Sequence, residues 1–250
     1  MRNVFLFLLL VLGIGGSMAL QAAPDPFEAA NEAYQRGDFA AAQSDYEALV
    51  ADGELAANLF YNLGNTYYRT DKKGAAMLAY ERALALQPSH PEAAANLSLL
   101  RNETGARIFP PGPLWERALA WPEQFTNRRA IWVAAFGFWL FCVSLAPRLW
   151  RRPGSMLGAL VGLILLGWFG GSAFWSERQP PVWIVTGPRA EVRMEPADNS
   201  KLATTLPTGS QVRLLLDRGE WLYVLLPNQV RGWIHRNLAE PVALVKTKMG

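Results

Sequence analysis

Residues 57–90 read ANLFYNLGNTYYRTDKKGAAMLAYERALALQPSH, and the placement of small and bulky residues along this stretch decides the fold. Gly64 and Ala76 allow two antiparallel helices to approach closely, while Phe60, Leu63, Tyr67 and Tyr80 fill the space between them. Pro88 then stops the second helix, because proline lacks the N–H the helix interior needs. Sliding the chain along itself until Asn31 meets Asn65 also brings Tyr34 onto Tyr68, Ala42 onto Ala76 and Tyr46 onto Tyr80, so the unit occurs more than once.

Phe60, Leu63-Gly64, Tyr67, Gly74-Ala75-Ala76, Tyr80, Ala83 and Pro88 together resemble the tetratricopeptide repeat. An upstream copy, 23–56, keeps Gly37-Asp38-Phe39 at its turn and Ala42 and Tyr46 in its second helix, but Pro24 and Pro26 shorten its first. A third helix, Glu92 to Thr104, is expected to close an all-α domain over 24–105. So short a stack is expected to lean on a partner or a membrane. The resemblance implies a concave groove that holds a peptide or helix of a protein partner, lined by Phe27, Asn31, Tyr34, Asn58, Tyr61, Asn65, Tyr68, Arg69, Ala95 and Leu99. The members of the family that grip a terminal carboxylate place cations beside two asparagines. Here Asn31 and Asn62 match, but Phe27 and Glu92 stand where the cations belong. An amphipathic or aromatic ligand therefore fits better, unless the aromatic residues only fill the stack.

Charge divides the chain into an acidic body, with 12 acids and 7 bases over residues 23–107, and a basic one, with 7 acids and 10 bases over 177–250. Neither matches the dense basic face that nucleic acid demands, so nucleic acid is not an expected partner. The single cysteine, Cys142, lies in an apolar run, and His90 and His235 fall in different domains. No nucleophile has a base within reach, and no P-loop, Gly-x-Ser-x-Gly or His-Glu-x-x-His run occurs. The expectation is a protein without catalytic residues, metal or cofactor.

Hydrophobic residues make up 51% of the chain, enough to place part of it in lipid. Residues 1–22 have the layout of a signal peptide, with Arg2, an apolar run from Val4 to Ile14 and small residues to Ala22, cleaved there or retained as an anchor. Segments 130–146 and 156–175 carry no charge, and each is long enough for a transmembrane helix. A loop at 147–155 with Arg148, Arg151 and Arg152 joins them, and favours a cytoplasmic loop with both large domains periplasmic or extracellular at a bacterial inner membrane. Before the first span, 106–129 combines a proline-rich linker, Pro110-Pro111-Gly112-Pro113, with an apolar-faced helix from Leu114 to Trp121 that lies along the lipid interface or packs in the ordinary way.

From 181 to 242 the pattern changes to short runs separated by Pro, Gly, Asp and Asn, at Val182 to Val185, Ala190 to Arg193, Gln211 to Leu216, Trp221 to Leu226 and Gly232 to Ile234. Val192-Arg193, Pro196, Leu206, Gly209, Val212, Gly219, Trp221, Val224 and Gly232-Trp233-Ile234 resemble the bacterial SH3-like (SH3b) family, which implies a small all-β barrel filled by Trp221. Some bacterial relatives bind cell-wall peptides, and Tyr223 and Trp233 are the candidates for such a face unless packing explains them.

The expected architecture is thus multidomain: an all-α tetratricopeptide-repeat domain, a two-helix transmembrane hairpin and a small all-β SH3-like barrel. That order resembles the BatE proteins of the bacterial aerotolerance (Bat) operon. The resemblance implies a membrane protein working beside von Willebrand factor A-domain proteins and a MoxR-type ATPase in a stress complex. The expected function is a scaffold whose repeat groove binds an envelope or membrane protein, with the lipid bilayer as a further partner. The alternative is a cell-wall sensor or tether that binds peptidoglycan through the barrel.

Overall fold

A computed structural model describes residues 25–112, 127–144, 153–176 and 179–243. The expected signal peptide, the interfacial helix from Leu114 to Trp121 and all three arginines of the 147–155 loop lie outside these residues.

The first described segment, 25–112, holds five helices: α1 Pro26–Gln35, α2 Phe39–Ala51, α3 Ala57–Arg69, α4 Lys73–Leu86 and α5 Pro91–Thr104. Helices α1 and α5 are bounded by local caps. Asp25 accepts the Phe27 N–H at 3.0 Å and Pro26 occupies the first turn of α1, which has 10 residues against 13 in α3. His90 Nδ1 accepts the Ala93 N–H at 3.3 Å ahead of Pro91, and α5 ends at Gly105 in the left-handed conformation. Two clusters form the core. Ala30, Ala33, Ala42, Tyr46, Leu49, Leu59 and Leu63 join α1, α2 and α3, while Phe60, Ala76, Met77, Tyr80, Ala83, Ala93, Leu97 and Leu100 join α3, α4 and α5.

Two longer helices follow, α6 Asn127–Ser144 and α7 Pro153–Ser176, packed side by side through small residues. A methyl group on Gly162 would stand 2.6 Å from the Gly137 carbonyl oxygen and 2.7 Å from the Phe141 nitrogen. Among the described residues, however, no helix is long and apolar enough to cross a membrane, which corrects the transmembrane hairpin expected from 130–146 and 156–175.

The remaining strands are β1 Val182–Val185, β2 Arg189–Arg193, β3 Leu202–Pro207, β4 Gln211–Arg218, β5 Trp221–Leu225, β6 Arg231–His235 and β7 Ala239–Pro241. They form one antiparallel sheet in the order β3-β2-β6-β5-β4-β1-β7. This corrects the expected SH3-like barrel: the sheet is open, because β3 and β7 stand at opposite edges and do not pair. Trp183, Val185, Ala190, Val192, Leu206, Val212, Leu222, Val224, Leu226, Ile234 and Ala239 form its core. Trp221 does not fill that core. Alternation along β5 turns Leu222 and Val224 inward, leaving Trp221 half-buried against the His235 ring at 3.9 Å.

The sheet docks on the back of the helical stack. Arg82 of α4 donates to the Pro241 carbonyl at 3.0 Å and faces Glu240 at 3.6 Å. Glu81 accepts from Gln211 of β4 at 2.9 Å and is also paired with Arg101 of α5. The chain leaving α5 is held too, since Gln211 N–H donates to the Arg107 carbonyl at 2.8 Å and the Arg213 guanidinium lies 4.5 Å over the Phe109 ring. Gly74 permits this closeness: a methyl group there would be 2.3 Å from the Thr186 carbonyl oxygen.

Candidate functional site

The first helices α1, α3 and α5 present a concave face whose floor recurs from one repeat to the next. In the first copy, the Asn31 carbonyl oxygen accepts from the Tyr46 hydroxyl at 2.6 Å and from the Asn62 amide at 2.9 Å. In the second, Asn65 accepts from Tyr80 at 2.8 Å and from Asn96 at 3.0 Å. Each triad ties a first helix, its own second helix and the next first helix together. The carbonyl oxygens of Asn31 and Asn65 are therefore committed within the stack. Their amide N–H groups make no hydrogen bond among the described residues and remain available as donors.

A cavity of about 380 Å³ lies at the first triad, lined by Asn31, Tyr34, Gln35, Tyr46, Asn62 and Asn65. Burial pushes the Tyr46 phenol up to about 12, with Tyr34 and Glu28 adding to the rise against the bond to Asn62. Tyr80 is raised as well, again mainly by burial. Both phenols thus stay protonated and act as donors toward asparagine.

The expected groove residues divide by what they touch. Asn31, Tyr34 and Asn65 meet at the cavity. Asn58, Tyr68, Ala95 and Leu99 are exposed or partly so, Tyr68 at 42% and Leu99 at 58%. Phe27 and Tyr61 are half-buried and serve packing: Phe27 lies 6.0 Å from Tyr46, and Tyr61 lies 4.9 Å from the His90 ring and 6.1 Å from Tyr80. The Arg69 guanidinium sits 4.2 Å over the Phe39 ring, at the end of the groove. Asn96 completes the second triad and was not among the expected residues, although the alignment that sets Asn31 on Asn65 also sets Asn62 on Asn96.

On the sheet, Tyr223 and Trp233 are cross-strand neighbours with rings 4.9 Å apart. Trp233 is only 9% exposed, with the Arg218 guanidinium 5.4 Å from its ring. Beside them, His235 Nε2 lies 2.8 Å from Asp198. No group of three or more His, Cys, Asp or Glu side chains that could hold a metal ion occurs among the described residues.

Residues 57–90, the stretch that builds α3, α4 and the turn into α5, match the Tetratricopeptide repeat family. The repeat is a non-catalytic fold and suggests a role in protein–protein interaction. A comparison of the whole chain with curated proteins finds no match.

Proposed function

We propose that this protein is a non-enzymatic interaction scaffold whose concave face, built by α1, α3 and α5, holds an extended segment of a protein partner. The observation that carries the reading is the pair of repeated triads: each fixes one asparagine oxygen internally and leaves that side chain's N–H donors outside the stack's own hydrogen bonding. Donors at repeat spacing suit the carbonyl groups of an extended backbone, and exposed Tyr68 and Leu99 offer apolar contact beside them.

A photo-crosslinking amino acid at Tyr68 or Leu99 is expected to capture a partner protein that one at Glu54, on the loop between the first two helix pairs, does not. The capture should be lost in Asn65→Ala. Equal capture at all three positions, or capture indifferent to Asn65, would remove the groove as the binding site.

The partner is proposed to be an envelope protein, on the strength of the signal-peptide layout of residues 1–22 and the resemblance to a Bat/MoxR-type stress complex. Lipid is proposed as a second contact, supported by the exposed large apolar side chains Trp132, Phe136, Trp139, Leu157, Leu160 and Ile164 of α6 and α7. A reporter fused at Gly250 that is active only in the cytoplasm would overturn the envelope location. Peptidoglycan binding is not carried forward, because Trp233, the aromatic ring it most needs, lies beneath Arg218 and beside Tyr223.

A further inference from the structure

The walls of the groove carry exposed acids, and most of the nearby cations are engaged elsewhere. On α1, Glu28, Asn31, Glu32 and Gln35 fall at i, i+3, i+4 and i+7, one stripe of the helix, and Asn31 and Gln35 line the cavity. Glu28 and Glu32 stand exposed on that stripe. Glu28 has no ion pair among the described residues, and Glu32 has only a loose one, 3.5 Å from an Arg36 that is itself exposed. On the opposite wall α5 begins with exposed Glu92, four residues before Asn96.

Apart from exposed Arg36, which stands beside Glu32, the bases of the repeats are engaged. Arg69 rests on the Phe39 ring, Lys72 donates to Gln43 at 2.8 Å, and Lys73 pairs with Glu103 at 2.6 Å. Arg82 reaches the sheet at Pro241, and Arg101 is paired with Glu81. Among the described residues of the groove, then, the one loosely held guanidinium is that of Arg36, already beside Glu32, whereas Glu28 has no ion pair and is placed to receive a cation.

We infer that the groove takes an internal segment of its partner bearing lysine or arginine, and not a free carboxy-terminus. This rests on the peptide-groove reading proposed above. The asparagine N–H groups along α1 and α3 bind backbone carbonyls, which recur along any extended chain, and Glu28 and Glu32 select a basic side chain beside them. A terminal carboxylate would meet the field of the α1 acids with only Arg36, already beside Glu32, to offset it.

The test is selection on the full chain from a library of random segments about twelve residues long, roughly 40 Å when extended. The segments are displayed both inside a scaffold loop and with a free carboxy-terminus. Internal segments enriched in lysine and arginine are expected, binding less tightly as salt is raised. Glu28→Gln with Glu32→Gln should weaken them about fivefold, the scale of one or two exposed ion pairs. The exposed pair Tyr68→Ala with Leu99→Ala should weaken them as well. Acidic or carboxy-terminal binders, or binders indifferent to the glutamate changes, would overturn the charge inference. If such binders still depend on Tyr68 and Leu99, the groove reading survives that result. Binders indifferent to both pairs of changes, or no enriched segment, would overturn both.

Discussion

Tyr46 and Tyr80 are the phenols on which the groove floor hangs, and their titration should be readable in the stability of the fold. Burial raises the Tyr46 pKa from 10.0 to about 12. Tyr67, bonded to Glu47, and Tyr80 are also raised, first by burial. A phenol with a raised folded-state pKa holds its proton more tightly when folded. Its stabilisation is therefore complete below pH 10 and is lost as the pH climbs toward the folded value. Urea unfolding at pH 11 should show a protein at least about 1 kcal/mol less stable than at pH 8, from Tyr46 alone. Tyr46→Phe, which keeps the ring but not the ionisable group, should lose less on the same change. An identical alkaline loss in that variant would mean that Tyr46 titrates as a free phenol.

At the scale of elements, the approach of α3 to α4 depends on a single missing side chain. A methyl group on Gly64 would stand 2.6 Å from Tyr80 Cε1, and the Tyr80 ring has no room to yield because it is buried and its hydroxyl is bonded to Asn65. Gly64→Ala should therefore destabilise the repeats by about 2 kcal/mol, despite the better helix propensity of alanine. Thermal unfolding followed by helical circular dichroism measures this, and an unchanged midpoint would contradict the close contact. The turn inside each helix pair shows how a repeat can differ from its copy at little cost. Gly37 has φ of 81° in the first copy, and Asp71, its counterpart in the second, takes φ of 58°. Aspartate is one of the few residues that tolerates this region.

The whole molecule explains how so short a stack is supported. Two repeats and a closing helix are fewer units than such arrays usually need, and the sheet supplies a further surface against α4 and the chain leaving α5. On α4, consecutive residues serve different masters. Tyr80 reaches the groove floor, Glu81 bridges α5 and β4, and Arg82 holds β7. Burial lowers the Arg82 pKa, and Glu240 works against that shift. Arg82→Ala leaves the Pro241 carbonyl and Glu240 without this donor. It should cost about 2 kcal/mol and speed amide exchange in both α4 and β7. Faster exchange in β7 alone would show that the sheet does not support the stack.

By itself the sequence determined the repeat. Volume constraints at Gly64, Ala76 and Tyr80 act between neighbouring helices and recur at the repeat spacing, so they are visible as a pattern. The alternation in β5 and the glycine turns at Gly209 and Gly219, with φ of 79° and 67°, were legible for the same local reason. Strands β3 and β7 were not, because half-buried threonines break the alternation of one and the other has three residues. Tertiary structure alone decided that the sheet stays open, that Trp221 lies outside its core, and that the sheet docks on α4. It also committed the side-chain oxygens of Asn31 and Asn65 within the stack. Each of these outcomes depends on partners distant in the chain, such as Arg82 and Pro241 or Asn31 and Asn62. Local periodicity carries no record of which distant groups will meet.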